Sequence, residues 1–170
     1  MLEIERRFLV TDPPLLDARD SVAIWQAYLS VTEQSSIRIR KVNSKEHRLS
    51  IKWLPEPDTI LVRNEVDIML TEADFAQLQA AAICQPVIKR RYMIPNEGVD
   101  IELDVFSGHL AGLIVAEIEF SSVDSAASFD PLPWFGAEIT EDYRFLNSSL
   151  AQWGKPAMGI TNIPDQRPEQ

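Results

Sequence analysis

The chain has 170 residues, 45% of them hydrophobic, and a formal net charge of −10. That length supports one domain with a core of its own, and the negative sign argues against general binding to nucleic acid or to an anionic membrane surface. No apolar run approaches the ~20 residues of a membrane helix, Glu3 interrupts a basic-then-apolar leader pattern, and a single cysteine, Cys84, excludes an internal disulfide and points to a reducing cytoplasm.

Alternation and β-branched content predict strands near 2–10, 22–31, 36–43, 46–54, 60–70, 87–95, 99–106 and 112–121. The segment DPPLLDA (12–18) after the first strand suggests a short helical turn. TEADFAQLQAAA (71–82) reads as a helix, with Thr71 as N-cap, Asp74 three residues on, and Phe75 and Leu78 at helical spacing. A second helix is expected through DYRFLNSSLAQW (142–153). From Lys155 the chain holds three prolines and few apolar residues, so residues 1–154 are expected to form the domain and 155–170 a draped tail.

Parity carries the functional signal. Residues two apart share one face of a strand. In EIERRF, Glu3, Glu5 and Arg7 oppose Ile4 and Phe8; in SIRIRK, Arg38 and Arg40 oppose Ile37 and Ile39. Arg48, Ser50 and Lys52 repeat the pattern, as do Arg63, Glu65 and Asp67, then Lys89 and Arg91, Glu102 and Asp104, and Glu117 and Glu119. Gln26, Tyr28 and Ser30 give a milder version. Alternation alone fits an open antiparallel sheet with one face in water. Acid pairs segregated onto four strands, and half of the 16 Lys and Arg gathered on these faces, favour a closed eight-stranded barrel. The expected class is α+β, mainly β, with a charged lumen, an apolar exterior and helices packed outside. Such a lumen needs ions to offset its charge. Arginine forks suit phosphate oxygens, and carboxylates without His or Cys suit Mg²⁺ or Mn²⁺.

These residues resemble the CYTH family, also called triphosphate tunnel metalloenzymes. EIERRFLV is similar to the family's E-x-E-x-K opening. QAYLS, SIRIR, LSIKW, RNEVD, KRRYMIP, ELDVFSGHLAGLIVAEIEF and EITEDYRFLNSSLA resemble, in order, stretches of its short stand-alone bacterial members. The resemblance implies an eight-stranded antiparallel tunnel and hydrolysis of inorganic triphosphate. It implies that Glu3, Glu5, Glu117 and Glu119 hold the divalent metal, and that Asp104, Glu102, Glu65 and Asp67 support a second metal or the attacking water. It further implies that Arg38, Arg40, Lys52, Lys89 and Arg91 bind phosphates, a set that Arg7 and Arg63 join by parity. Two positions depart from the family pattern: Arg7 stands where Lys is usual, and Asp67 where Glu is usual. Asp142, Arg144 and Asn147 resemble a family segment near one tunnel end.

The expected reaction is attack of metal-activated water on a terminal phosphorus, with the cations spreading the charge. Lys89, crowded by Arg91, reads either as a fixed phosphate ligand or as a base working with Tyr28. His47 and His109 are expected at the surface, and Trp25 and Trp53 against helices. The enzymatic alternatives are a nucleoside or thiamine triphosphatase or a class IV-like adenylate cyclase; a polyphosphate or nucleotide sensor is the non-enzymatic one. No nucleic-acid or membrane partner is expected, and a homodimer is plausible for a small β-rich chain.

Overall fold

A computed structural model of the protein describes residues 2–17, 21–54 and 62–157. Eight antiparallel strands follow one another as β1 (Leu2–Leu9), β2 (Ser21–Val31), β3 (Ser35–Val42), β4 (Glu46–Trp53), β5 (Val62–Met69), β6 (Val87–Asn96), β7 (Val99–Ser107) and β8 (Ile114–Phe120). Each matches a predicted strand to within a few residues. The ladder runs β1-β5-β4-β3-β2-β6-β7-β8 and curls about one interior. β1 pairs with β8 through six residue pairs, from Ile4↔Phe120 to Leu9↔Val115, but with β5 through only three, Leu2↔Asn64, Glu3↔Arg63 and Ile4↔Val62.

Local chemistry explains the turns. Asn43 and Ser44 reverse the chain between β3 and β4 at φ of 48° and 57°, and the Asn43 side-chain oxygen accepts from the Ala23 amide at 2.9 Å. Asparagine tolerates this left-handed region better than most residues. The predicted helix at 71–82 appears as α1 (Glu72–Gln79), with the Thr71 hydroxyl accepting from the Asp74 amide at 3.1 Å. A further helix, α2 (Val123–Ser128), starts at a capping box of Ser122 and Ser125 that the sequence reading missed. The C-terminal helix is shorter than expected: a 3₁₀ turn at Tyr143–Phe145 precedes α3 (Asn147–Trp153). The helical turn expected at 12–18 is absent among the described residues 12–17, because Pro13 and Pro14 bias the residues before them away from helical ψ. Among the described residues no helix is long and apolar enough to cross a membrane.

Two apolar clusters cover the outside of the sheet. One packs Ile4 and Phe8 of β1, Ile101 and Leu103 of β7, and Ile118 of β8 against Ala126 of α2 and the aromatic segment that follows it. The other seats Phe75 of α1 on Ala27 and Ile39. A third cluster corrects the expectation that all helices lie outside and that the interior is wholly charged. Val87, Phe106, Val115 and Tyr28 share the parity of the charged positions, yet they pack with Leu110, Leu113, Ile139, Phe145 and Leu150. The C-terminal segment with α3 therefore fills one end of the interior with apolar side chains. A shift of register between Tyr28 and Ser30 sets Ser30 opposite Ile37, so it leaves the polar row. His47 is buried, tilted against the Phe75 ring at 4.6 Å, rather than at the surface. Trp25 does pack edge-on against Phe75, whereas Trp53 is 38% exposed. The expected tail, 155–170, lies outside the described residues from 158 on.

Candidate active site

The inner face of the curled sheet encloses a cavity of about 230 Å³. Its cations are Arg7 on β1, Arg38 and Arg40 on β3, Lys52 on β4 and Arg91 on β6. Its acids are Glu5 on β1, Glu65 and Asp67 on β5, Glu102 on β7, and Glu117 and Glu119 on β8. Tyr28 and Ser36 complete the wall, and Leu146, Asn147 and Ser148 at the start of α3 close one end. Glu102 and Glu119 also border a wider opening with Met93 and Asp100 at the other end. Strand register makes this convergence: with a two-residue repeat, every second side chain of every strand enters the same space.

Most of the charges are already paired. Arg91 donates to Asp104 from Nε at 2.8 Å and Nη2 at 2.7 Å, and to Glu117 from Nη2 at 2.5 Å; its Nη1 pairs with Glu102. Burial opposes its charge, but Asp104 and Glu117 outweigh that and hold its pKa well above the usual arginine value. Glu65 is bridged by Arg38 Nη2 at 3.2 Å and Lys52 Nζ at 3.6 Å, and Asp67 lies 3.6 Å from Arg48 Nη1.

Arg40 differs. Among the described residues it makes no ion pair, and its Nε meets no acceptor. Burial, then the like charges of Arg38 and Arg91, lower its pKa to about 10. A guanidinium in that position is set up to receive an anion.

The acids divide as well. Glu102 faces Glu117 directly across the β7–β8 ladder, and Glu5 faces Glu119 across β1–β8. Like charges opposed on one face repel. Burial and then Glu117 and Asp104, working against Arg91, lift Glu102 to about 7. For Glu117 burial pushes upward too, but Lys89, Arg91 and Arg7 win and hold its carboxyl well below the usual range.

Twelve of the sequence-nominated site residues line one cavity: Arg7, Arg38, Arg40, Lys52, Arg91, Tyr28, Glu5, Glu65, Asp67, Glu102, Glu117 and Glu119. Lys89 and Asp104 do not line it. They are buried behind the wall, where Lys89 Nζ pairs with Asp104 and donates to Asn147 Oδ1 at 3.4 Å. Burial lowers the pKa of Lys89, with Asp104 opposing. The side chains of Glu3 and Arg63 lie outside the described residues. Asn147, noted for its place near a tunnel end, does reach the cavity, while Arg144 instead pairs with Asp142 at 2.6 Å. Sequence reading missed Leu146, Ser148 and Ser36. The available signal was that Leu9, Val87, Phe106 and Val115 keep the inward parity but turn apolar, which demands an apolar filler from elsewhere in the chain.

For a divalent cation the donor set is chemically apt. Glu5, Glu117 and Glu119 offer hard oxygen ligands from adjacent strands, and a cation between Glu5 and Glu119 would relieve their opposition. Among the described residues no group of three or more candidate ligands is drawn together around one point.

No protein-family model matches the chain. It is 39% identical over 154 residues to a protein of Nitrosomonas europaea named inorganic triphosphatase, covering 89% of this chain and 97% of the relative. It is 32% identical over 151 residues to an inorganic triphosphatase of Acetivibrio thermocellus, covering 88% and 93%. Among solved structures, the inorganic triphosphatase NE1496 superposes with a TM-score of 0.63 at 38% identity, covering 88% of this chain and 93% of that one. With near full-length relatives at this identity, and with the charged interior in the order the family motifs require, the chain belongs to the CYTH family of triphosphatases.

Proposed function

We propose that this protein hydrolyses inorganic triphosphate with the help of a divalent cation, Mg²⁺ or Mn²⁺, in a tunnel formed by the curled sheet closing at the short β1–β5 seam. The observation that carries the reading is the lining of the cavity. A wall of arginine and lysine, in which Arg40 makes no ion pair among the described residues, faces carboxylates across a space of about 230 Å³. Pockets for organic ligands are typically about 300–1,000 Å³ and mostly apolar. Among the described residues Tyr28 is the one aromatic in the lining and Leu146 the one aliphatic, so the described lining provides no shelf for a nucleobase or a thiazolium ring. That composition favours a small, highly charged inorganic ion over nucleoside or thiamine triphosphates.

In this reading Arg38, Arg40 and Lys52 grip phosphate oxygens and spread the charge that shifts during transfer, where positioning and electrostatics do most of the work. Arg91, whose guanidinium nitrogens pair with Asp104, Glu117 and Glu102, adds a fixed positive charge beside the same ion. Glu3, Glu5, Glu117 and Glu119 would hold the cation, which supplies charge neutralisation and an acidified water. Glu65 and Asp67, on the wall beside Lys52, would orient the attacking water. Lys89 fits a fixed charge behind the wall better than a base, because Asp104 and Asn147 hold its ammonium away from the lining.

Phosphate release should be measured with triphosphate, ATP, thiamine triphosphate and long polyphosphate, each with Mg²⁺, Mn²⁺ or EDTA. Triphosphate is expected to be turned over fastest and EDTA to stop the reaction. Turnover of ATP above triphosphate, or tight binding with no turnover, would sink the proposal.

A further inference from the structure

Arg7 stands at the position where the E-x-E-x-K opening has lysine, and its guanidinium is turned toward the C-terminal segment. Nη1 donates to the Phe145 carbonyl at 3.1 Å and Nη2 to the Thr140 carbonyl at 2.9 Å. Its backbone joins in: the Arg7 amide donates to Thr140 Oγ1 at 3.0 Å, and the Ile139 amide donates to the Arg7 carbonyl at 2.8 Å. Between the two acceptor carbonyls lies the Tyr143–Phe145 turn, and directly after it come Leu146, Asn147 and Ser148, which close the cavity. From the outer face of β1 the neighbouring Arg6 holds Glu138 at 2.8 Å and the carbonyls of Ala126 and Phe129 at 3.0 and 2.8 Å. Consecutive arginines thus strap the same segment from both faces of one strand.

We propose that Arg7 is a positioning residue: it clamps the C-terminal segment across the cavity end and so limits the length of phosphate chain the site accepts. The proposal rests on the triphosphatase reading for its substrate. The physical basis is the shape of the guanidinium. A planar fork spans two carbonyls five residues apart, which a single ammonium on a flexible stem does not. A lysine here would keep the charge that faces Glu5 at 3.5 Å but would release one carbonyl, and Leu146–Ser148 would lose their fixed support.

The test is Arg7→Lys in the full chain, with hydrogen exchange of residues 139–151 and steady-state hydrolysis of inorganic triphosphate and tetraphosphate. The clamp predicts exchange faster by about tenfold, the loss expected from one charge-assisted hydrogen bond. It also predicts that KM for triphosphate rises more than kcat falls, and that the triphosphate-to-tetraphosphate ratio of kcat/KM drops about threefold or more. Unchanged exchange with equal losses on both substrates would make Arg7 an ordinary phosphate ligand and overturn the proposal. Should Arg7→Lys fail to fold, a crystal structure of the wild type soaked with tripolyphosphate, without metal, decides instead. Arg7 remaining on the two carbonyls supports the clamp, and transfer of its fork to phosphate oxygens refutes it. A wild type that neither binds nor hydrolyses triphosphate defeats the triphosphatase reading, while the exchange measurement still decides the clamp.

Discussion

Replacing Asp104 by Asn tests how the charges behind the wall are held. Asp104 is fully buried and accepts from Lys89 Nζ and from Arg91 Nε and Nη2. Arg91 would retain Glu117 and Glu102, but Lys89, whose side chain is 0% exposed, would lose its counter-ion and keep only neutral partners: the new amide, Asn147 and the Phe106 ring 5.3 Å away. Breaking a buried ion pair by removing one partner costs about 3–5 kcal/mol. Asn keeps an acceptor, so about 3 kcal/mol is the expected loss. At 2–4 °C per kcal/mol for a chain of this size, the melting temperature should fall by roughly 6–12 °C. The pH dependence has a definite sign. Without Asp104 the folded-state pKa of Lys89, already lowered by burial, drops further below its unfolded value. The unfolded state then binds more protons than the folded one, and stability rises with pH. The deficit relative to wild type should therefore be larger at pH 6 than at pH 9, and adding Lys89→Met should recover part of it. Thermal and urea denaturation of the single and double variants at both pH values provide the assay. An Asp104→Asn protein that melts within 2 °C of wild type, as a rough threshold, at both pH values would refute the reasoning.

Three further outcomes follow from the geometry. Arg40→Met should raise KM for triphosphate about 10-fold or more, from a lost charge-assisted hydrogen bond of roughly 1.5–3 kcal/mol. It should leave the melting temperature equal or higher, since it also removes a cation crowded by Arg38 and Arg91; kinetics and a melt check both halves. Glu102→Gln isolates a carboxyl whose folded pKa of about 7 lies above its unfolded value. There the folded state holds the extra proton, so wild-type stability is lost as pH rises between about 4.5 and 7. The variant should match wild type at pH 4 and exceed it at pH 8 in urea unfolding. Gly136→Ala should cost about 1–3 kcal/mol, because a Cβ there would come within 2.9 Å of the Leu9 carbonyl oxygen, to which Gly136 itself donates. A denaturation midpoint equal to wild type would show that β1 yields at that point.

The wall of the site was legible because alternation is a one-dimensional rule: Arg38 and Arg40 must share a face, and the segregation of acid pairs and cations onto such faces turned that face inward. The closed end was not, because it is made by a segment whose position no local period encodes. Phe106 and Val115 alternate in register with Asp104 and Glu117, so parity put them in a charged lumen, and only tertiary packing by Phe145 and Leu150 reveals an apolar end. Lys89 shows the same limit in depth. Parity places it inward with Arg91, but whether it reaches the cavity or stays behind Asp104 depends on side-chain pairing. The helical turn expected at 12–18 is absent over the described residues 12–17 for a reason readable in the chain, the two successive prolines Pro13 and Pro14.

The order of the ladder also bears on how the chain assembles. β2 to β5 and β6 to β8 are runs of sequence neighbours joined through β2 and β6, whereas β1 links their far ends and makes its longer ladder with β8, roughly 110 residues away. Contacts of such separation form slowly. At about 5–20 residues per second, β1 leaves the ribosome roughly 5–20 s before β8, and until then Ile4 and Phe8 lack the β7, β8 and α2 side chains that cover them. Pulse-labelled hydrogen exchange during refolding should find β1 amides protected last. In that interval β1 has only its three-pair ladder to β5 to join, and its other side is a sticky edge that a holding chaperone is suited to shield.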